Sequence, residues 1–249
     1  MSGRSDIEPS SNGWRRLSYT CNCGWVDWGH ALPGSALELK RQTDNEQPTL
    51  SLLRKMDVTL EGEPAYILVY GQAMGAGPIR VSTRRHWIVK KNLTKNQKMS
   101  VALGIFLNAS FQFERLQGAF PFSIVSSASS FSPEDLVSNL VGFFSAYKST
   151  PQNQMRKICG EVSVAECYRM WDEHLPNGLS GLRNRTPRPI LFPSKECKGN
   201  NAFPSILTSV KPMNAGVNWV RLKKRFIDGR IVNARRPINV TSQGVVKLR

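Results

Sequence analysis

One stretch constrains the fold of this chain more than any other: Thr94 to Gly118, TKNQKMSVALGIFLNASFQFERLQG. Thr94 and Gln97 have capping-box spacing, which predicts a helix starting at Lys95, and Gly118 supplies the flexible residue after its end. Val101, Ala102, Leu103, Ile105, Phe106, Leu107, Ala109, Phe111 and Phe113 surround the helix axis on nearly every side. A helix that is apolar all round is a buried one, so the other elements must be arranged about it. Glu114 falls within about 20° of Leu103 and Leu107, so a carboxylate ends an apolar stripe. It does so at the helix end where the dipole disfavours negative charge. Desolvation and the dipole both predict a raised pKa. Such a group is either paired structurally, with Arg115 or another arginine, or it transfers protons.

Other elements follow from turn and cap signals. Residues 1–13 are rich in Ser, Asn and Gly and read as a mobile terminus. Ala36 to Leu53 reads as loop with a short helix. Met56 to Leu60, Ala65 to Tyr70, Ile79 to Thr83 and the segment from His86 read as strands. Ser132, Pro133 and Asp135 mark a helix start, with Phe131 and Leu136 as its staple. Gly142 inside that helix predicts close approach to a neighbour, with the central helix as the candidate. Ser163 and Glu166 repeat the capping box and open a helix through about His174, with Cys167 on its buried face. Pro176 to Pro212 reads as an extended ordered loop. The tail reads as a hairpin, WVRLKKRFI then RIVNA, turning at Asp228-Gly229. The expected architecture is α+β: N-terminal antiparallel strands packed on a buried central helix, two further helices and a basic C-terminal hairpin at about residues 217–249. The expected organisation is a single domain over residues 14–249.

The densest chemical signal is YTCNCGWVDWGHA, from Tyr19. Four readings fit it. Cys23 or Cys21 is a nucleophile with His30 as base, oriented by Asp27. Alternatively Cys21, Cys23 and His30 ligate a metal, although the spacing is not the usual CxxC knuckle. In the third reading Asp27 and His30 are acid/base or metal-binding groups and the cysteines only pack. In the fourth the segment is a Trp-rich structural corner. Trp25 and Trp28 are candidate substrate-binding residues, with Ser130 near Glu114 if the two helices are adjacent.

Charge narrows the partners. The formal charge is +16, and two segments supply nearly all of it. Arg80 to Lys98 holds seven Lys/Arg and no acid, and Val220 to Arg249 holds nine against Asp228 alone. Charge so concentrated points to an anionic partner, either a cell-wall polymer, a membrane surface or nucleic acid. Arg235 and Arg236 on the basic ribbon are the contact candidates. With 40% hydrophobic residues the composition is that of a folded globular protein, and no apolar run is long enough to span a membrane. Five cysteines, an odd number at irregular spacing, make a poor disulfide framework. The polar N-terminus lacks a signal-peptide core, so the expectation is synthesis in the cytoplasm and export, if any, by a signal-independent secretion system.

The segments TCNCGWVDWGHA, FERLQG and SSFSPEDLVSNLVGF together resemble a bacterial family of unassigned activity. Its members carry an early Gly-His element and a later Glu-Asp-Leu-x-Ser-Asn helix start. That resemblance implies a bacterial origin and an envelope-directed or antagonistic role. A fainter likeness is to permuted papain-like hydrolases, which implies a nucleophilic cysteine in the second half. The function expected is a hydrolase or lyase acting on an anionic polymer, with peptidoglycan first, as an antibacterial effector with an immunity or secretion partner. Glu114 would be the general acid, and Asp27, His30 and Cys23 would position or activate the nucleophile. A nucleic-acid-binding protein or nuclease using the basic hairpin is the alternative, and a non-catalytic envelope-binding module the third. No cofactor is expected beyond a metal that Asp27 and His30 could hold.

Overall fold

Thr94 opens the longest helix as its sequence predicts: its N–H and hydroxyl donate to Gln97 Oε1 (both 2.9 Å), and its Oγ1 accepts the Gln97 N–H at 3.3 Å. In the computed structural model, residues 2–54, 56–76, 79–82, 84–117, 131–199, 201–222, 224–227 and 230–233 are described. The strands are β1 (Leu17–Thr20), β2 (Gly24–Asp27), β3 (Val58–Leu60), β4 (Glu63–Tyr70), β5 (Ala73–Ala76), β6 (Ile79–Ser82), β7 (Arg85–Lys90), β8 (Trp219–Arg221), β9 (Lys224–Ile227) and β10 (Arg230–Asn233). The helices are α1 (Gly34–Asn45), α2 (Ser51–Arg54), α3 (Lys95–Gln117), α4 (Asp135–Tyr147), α5 (Gln152–Cys159) and α6 (Val164–His174). The class is α+β. Where one domain was expected, the chain forms two compact units: Met1–Leu37 with Ser110–Ser209, and Glu38–Ala109 with Val210–Arg249.

The second unit is built on an antiparallel sheet in the order β3-β4-β7-β8. Ala65, Ile67 and Val69 of β4 share one face by the two-residue period of a strand, and join Leu53, Val58, Leu60, Ile88 and Leu222 in a buried cluster. On the opposite face Tyr70 stacks on Phe106 of α3 at 6.0 Å. Gly104 lets the backbone of Met213 cross α3 closely, since a Cβ there would lie 2.2 Å from the Met213 carbonyl oxygen. The predicted tail divides: β8 extends the sheet beside β7, and β9 pairs with β10 as a hairpin. Its Asp228-Gly229 turn, together with Gly118, Ser130, Arg235 and Arg236, lies outside the described residues.

Two further expectations change here. Ala36 to Leu53, read as loop with a short helix, covers most of the one-turn α2 and of the longer, twelve-residue α1. Its buried face includes the polar Gln42, whose amide donates to the Val69 carbonyl at 2.9 Å and accepts its N–H at 3.0 Å. An apolar periodicity search misses such a face. The long helix α3 is not apolar all round either: Val101–Phe106, Ala109, Ser110, Phe113 and Glu114 are buried, but Asn108, Phe111 and Arg115 form an exposed edge.

The first unit contains the β1–β2 hairpin, paired from Leu17↔Asp27 to Thr20↔Gly24, with α4, α5 and α6. Ile7, Leu17, Tyr19, Trp25, Val162, Cys167, Met170, Trp171, Leu175 and Leu179 form its core cluster. The N-terminus is therefore not loose. Arg4–Ile7 is a 3-10 turn, and Ile7 is fully buried because that turn packs on β1 and α6. A disulfide joins Cys21 to Cys197, against the expectation drawn from the odd cysteine count. Three cysteines stay free, and all three are buried.

Candidate active site

Asp27 ends β2 and organises the turn that follows. Its Oδ1 accepts the N–H groups of Gly29 (2.7 Å) and His30 (3.1 Å), an Asx-type turn that places the imidazole beside it. Its Oδ2 accepts the Ser2 hydroxyl at 2.6 Å and faces Arg16 Nη2 at 3.3 Å. The same residue is tied to α4 through Ser138, whose Oγ accepts the Asp27 N–H at 2.9 Å and donates to the Glu134 carbonyl at 2.6 Å. Gly142 on α4 approaches the Ala31 and Leu32 backbone, and a Cβ there would lie 3.1 Å from the Ala31 carbonyl. The close neighbour of Gly142 is thus the loop after His30, where the central helix had been the candidate.

This docking brings Asp135 to His30, with Nδ1 3.2 Å from Asp135 Oδ1 and 3.9 Å from Asp27 Oδ2. Asp135 was legible only as a helix cap. The helix starts later than the Ser132 and Pro133 signals indicate, at Asp135, and Glu134 at its cap makes no side-chain cap bond; Asp135 Oδ2 accepts the Ser132 N–H at 3.2 Å while Oδ1 faces the histidine. The Ser132 hydroxyl instead donates to Glu134 Oε2 at 2.5 Å. Glu134 Oε1 is buried and finds no hydrogen-bond partner among the described residues. Glu114 arrives from the last turns of α3 and accepts the Phe131 N–H at 2.8 Å. Phe131 has φ +56°, a left-handed conformation that is costly for a bulky residue. Its surroundings hold it there: Phe111 packs edge-on at 5.0 Å and the Asn184 N–H donates to its carbonyl at 2.9 Å.

Asp135 and Asp27 thus flank the imidazole, and Glu114 and Glu134 lie near enough to interact with it electrostatically. Only His30 is open to solvent, with 44% of its side chain exposed; Asp27, Glu114, Glu134 and Asp135 are buried. Burial lowers the His30 pKa, but Asp135, Asp27 and Glu134 outweigh it and raise it to about 9. Burial, then the charge of Asp135, pushes Glu114 up to about 8 against the Phe131 N–H and His30. The same two causes push Glu134 up to about 8, opposed by the Ser132 hydroxyl. Burial acts to raise Asp27 as well, yet His30, Ser2 and Arg16 overcome it and hold this carboxyl below its ordinary value. At neutral pH the cluster therefore keeps protons on His30, Glu114 and Glu134 while Asp27 is ionised. Among the described residues no three His, Cys, Asp or Glu side chains converge to hold a metal ion.

Of the residues singled out by sequence, Glu114, Asp27 and His30 come together. Among the described residues, Cys23, Trp25 and Trp28 take other roles, while Ser130, Arg235 and Arg236 lie outside the described residues. Cys23 sits at the turn end of the hairpin, four residues from Asp27 and so about 13 Å along an extended strand. Its thiol is fully buried and its pKa is raised, first by the contact with Cys159 and then by burial, so it is no nucleophile for His30. Cys21 is consumed by its disulfide. No free cysteine in the second half is exposed: Cys159 and Cys167 are buried, and Cys197 is bonded to Cys21. That removes the nucleophile which a papain-like arrangement requires. Trp25 and Trp28 are core residues, not substrate platforms. Trp25 lies edge-on to Tyr19 and Trp171, each at 5.5 Å, and Arg156 covers the Trp28 ring at 4.4 Å. Ser2 and Arg16 went unread, since hydrogen bonds between distant segments leave no mark at short sequence spacing, and Glu134 and Ser138 entered only through the Glu-Asp-Leu-x-Ser-Asn resemblance, with no role attached. The chain matches no protein-family model, and neither a curated protein nor a solved structure matches it.

Proposed function

We propose that this chain is an acid–base hydrolase or lyase that acts on an anionic polymer, with peptidoglycan as the first substrate, and that His30 is its catalytic residue. One observation carries the reading: a half-exposed imidazole held by Asp135 and Asp27 in a cluster whose other acids are buried. The net charge of +16 favours an anionic substrate. As imidazolium, His30 gives its proton to the leaving oxygen while the bond to that oxygen breaks. The neutral ring then takes a proton, from the attacking water in a hydrolase or from the carbon that forms the double bond in a lyase. Asp27 and Asp135 hold the ring through both steps. Glu114 and Glu134 act as positioning residues, whose protonated forms spare the site two further negative charges. An antibacterial effector carried to the cell envelope would meet such a polymer.

The test is to incubate the full chain with purified peptidoglycan sacculi and measure soluble fragments. Wild type releases them, and His30→Ala releases them at least about 100-fold more slowly with its melting temperature retained. Intact sacculi under wild type, or an equally active His30→Ala, overturns the proposal. A parallel incubation with DNA and RNA addresses the second reading, which the nine basic residues between Val220 and Arg249 favour. Degradation there, with sacculi untouched, replaces peptidoglycan by nucleic acid as the substrate.

A further inference from the structure

Where the hairpin turn meets the end of α5 lies a second pair of cysteines that the acid–base cluster does not use. Cys23 Sγ lies 3.1 Å from Cys159 Sγ, and both residues are completely buried. The pairing is imposed by the backbone. The Asn22 N–H donates to the Cys159 carbonyl at 2.9 Å and the Cys21 N–H to the Gly160 carbonyl at 2.8 Å. Thr20 also bridges Glu161, so residues 159–161 run beside residues 20–22 in fixed register. Gly160 turns the chain out of α5 in the left-handed region that favours glycine, φ +73°. The sulfurs are thus within about 1 Å of disulfide bonding distance, which is about 2.05 Å. The adjacent Cys21–Cys197 bond shows that this corner of the fold accommodates oxidised cysteine.

We propose that Cys23 and Cys159 form a second disulfide, so that the mature protein carries two S–S bonds at the hairpin turn and one free thiol, Cys167. The oxidant is a disulfide donor, either a small-molecule disulfide or a thiol oxidoreductase. One thiolate of the pair attacks a donor sulfur, forming a mixed disulfide and expelling the first donor thiolate. The second thiolate then attacks the protein sulfur, closes the Cys23–Cys159 bond and expels the second donor thiolate. The donor thiolates take up the two protons released by the cysteines, so two protein thiols are oxidised and one donor disulfide is reduced. Burial disfavours the thiolates in the folded state, which places the exchange during folding, before the pair is sealed. Cys167 is kept apart: its sulfur accepts the Tyr19 N–H at 3.2 Å and lies 3.7 Å from Arg15 Nη1.

The test is expression of the full chain in an oxidising compartment, followed by denaturation with an alkylating reagent and non-reducing peptide mass mapping. The expected result is one alkylated cysteine, Cys167, and two linked peptide pairs, Cys21 with Cys197 and Cys23 with Cys159. In Cys23→Ala, Cys159 becomes alkylated while Cys21–Cys197 persists. Alkylation of Cys23, Cys159 and Cys167 together in a protein that holds Cys21–Cys197 overturns the proposal. So does any other pairing, or a chain with no S–S bond.

Discussion

Asp135 uses its two carboxylate oxygens for different ends, one accepting the Ser132 N–H ahead of the helix and the other meeting the imidazole. An asparagine there keeps an acceptor for the Ser132 N–H but loses the charge that raises His30. Asp135→Asn should therefore move the His30 pKa down from about 9 towards the ordinary histidine range. The imidazole proton resonances followed by NMR across a pH titration give that value directly. An unchanged midpoint would show that Asp135 does not govern the ring. The pH dependence of turnover must move with it. As the proton donor, His30 is competent below its pKa, so the alkaline limb of the rate profile lies near pH 9 in wild type and lower in Asp135→Asn.

Among the elements, α3 and α6 were legible because Thr94 with Gln97, and Ser163 with Glu166, satisfy their own helix starts. Local chemistry fixes such boundaries, and spacing alone reveals them. Strands β4 and β7 were legible by their β-branched and aromatic content. What spacing could not reveal is pairing between distant segments: the register of residues 159–161 beside 20–22, or the docking of α4 on the loop after His30. Asp27, His30 and Glu114 could be named as reactive types, but Glu134 lies 107 positions from Asp27, and only the folded chain brings it close. Gly142 gives this docking a test. A larger side chain must displace the Ala31 and Leu32 backbone, since both carbonyl oxygens would stand within 3.2 Å of its Cβ. Gly142→Val should cost about 1–3 kcal/mol of stability, read by thermal melting, and should shift the His30 resonances. A variant with both unchanged would show that α4 does not hold the loop.

At the scale of the whole molecule, the cluster makes stability depend on pH in a definite direction. Glu114 and Glu134, each at about 8, and His30, at about 9, bind protons more tightly folded than unfolded. Their contribution is complete below the ordinary pKa of each group and is lost as the pH rises through the folded values. Asp27 works the opposite way: its contribution is present above the ordinary aspartate pKa and lost as acid titrates it. The melting temperature should thus fall from about pH 4.5, where the unfolded glutamates ionise, to about pH 9, with each buried carboxyl adding up to about 1.4 kcal/mol per pH unit inside its window. Glu114→Gln, which has no proton to lose, should flatten that fall; an unaltered slope would place the titration elsewhere. The two units also differ from beads on a string, because each is assembled from segments separated by part of the other. A ribosome releases Asp27 and His30 early, yet Glu134, Asp135 and Cys197 emerge only after most of the second unit has left the exit tunnel. The first unit must wait, half-made, for its missing portion, so stalled or prematurely ended translation yields a chain with the histidine present and its acids absent.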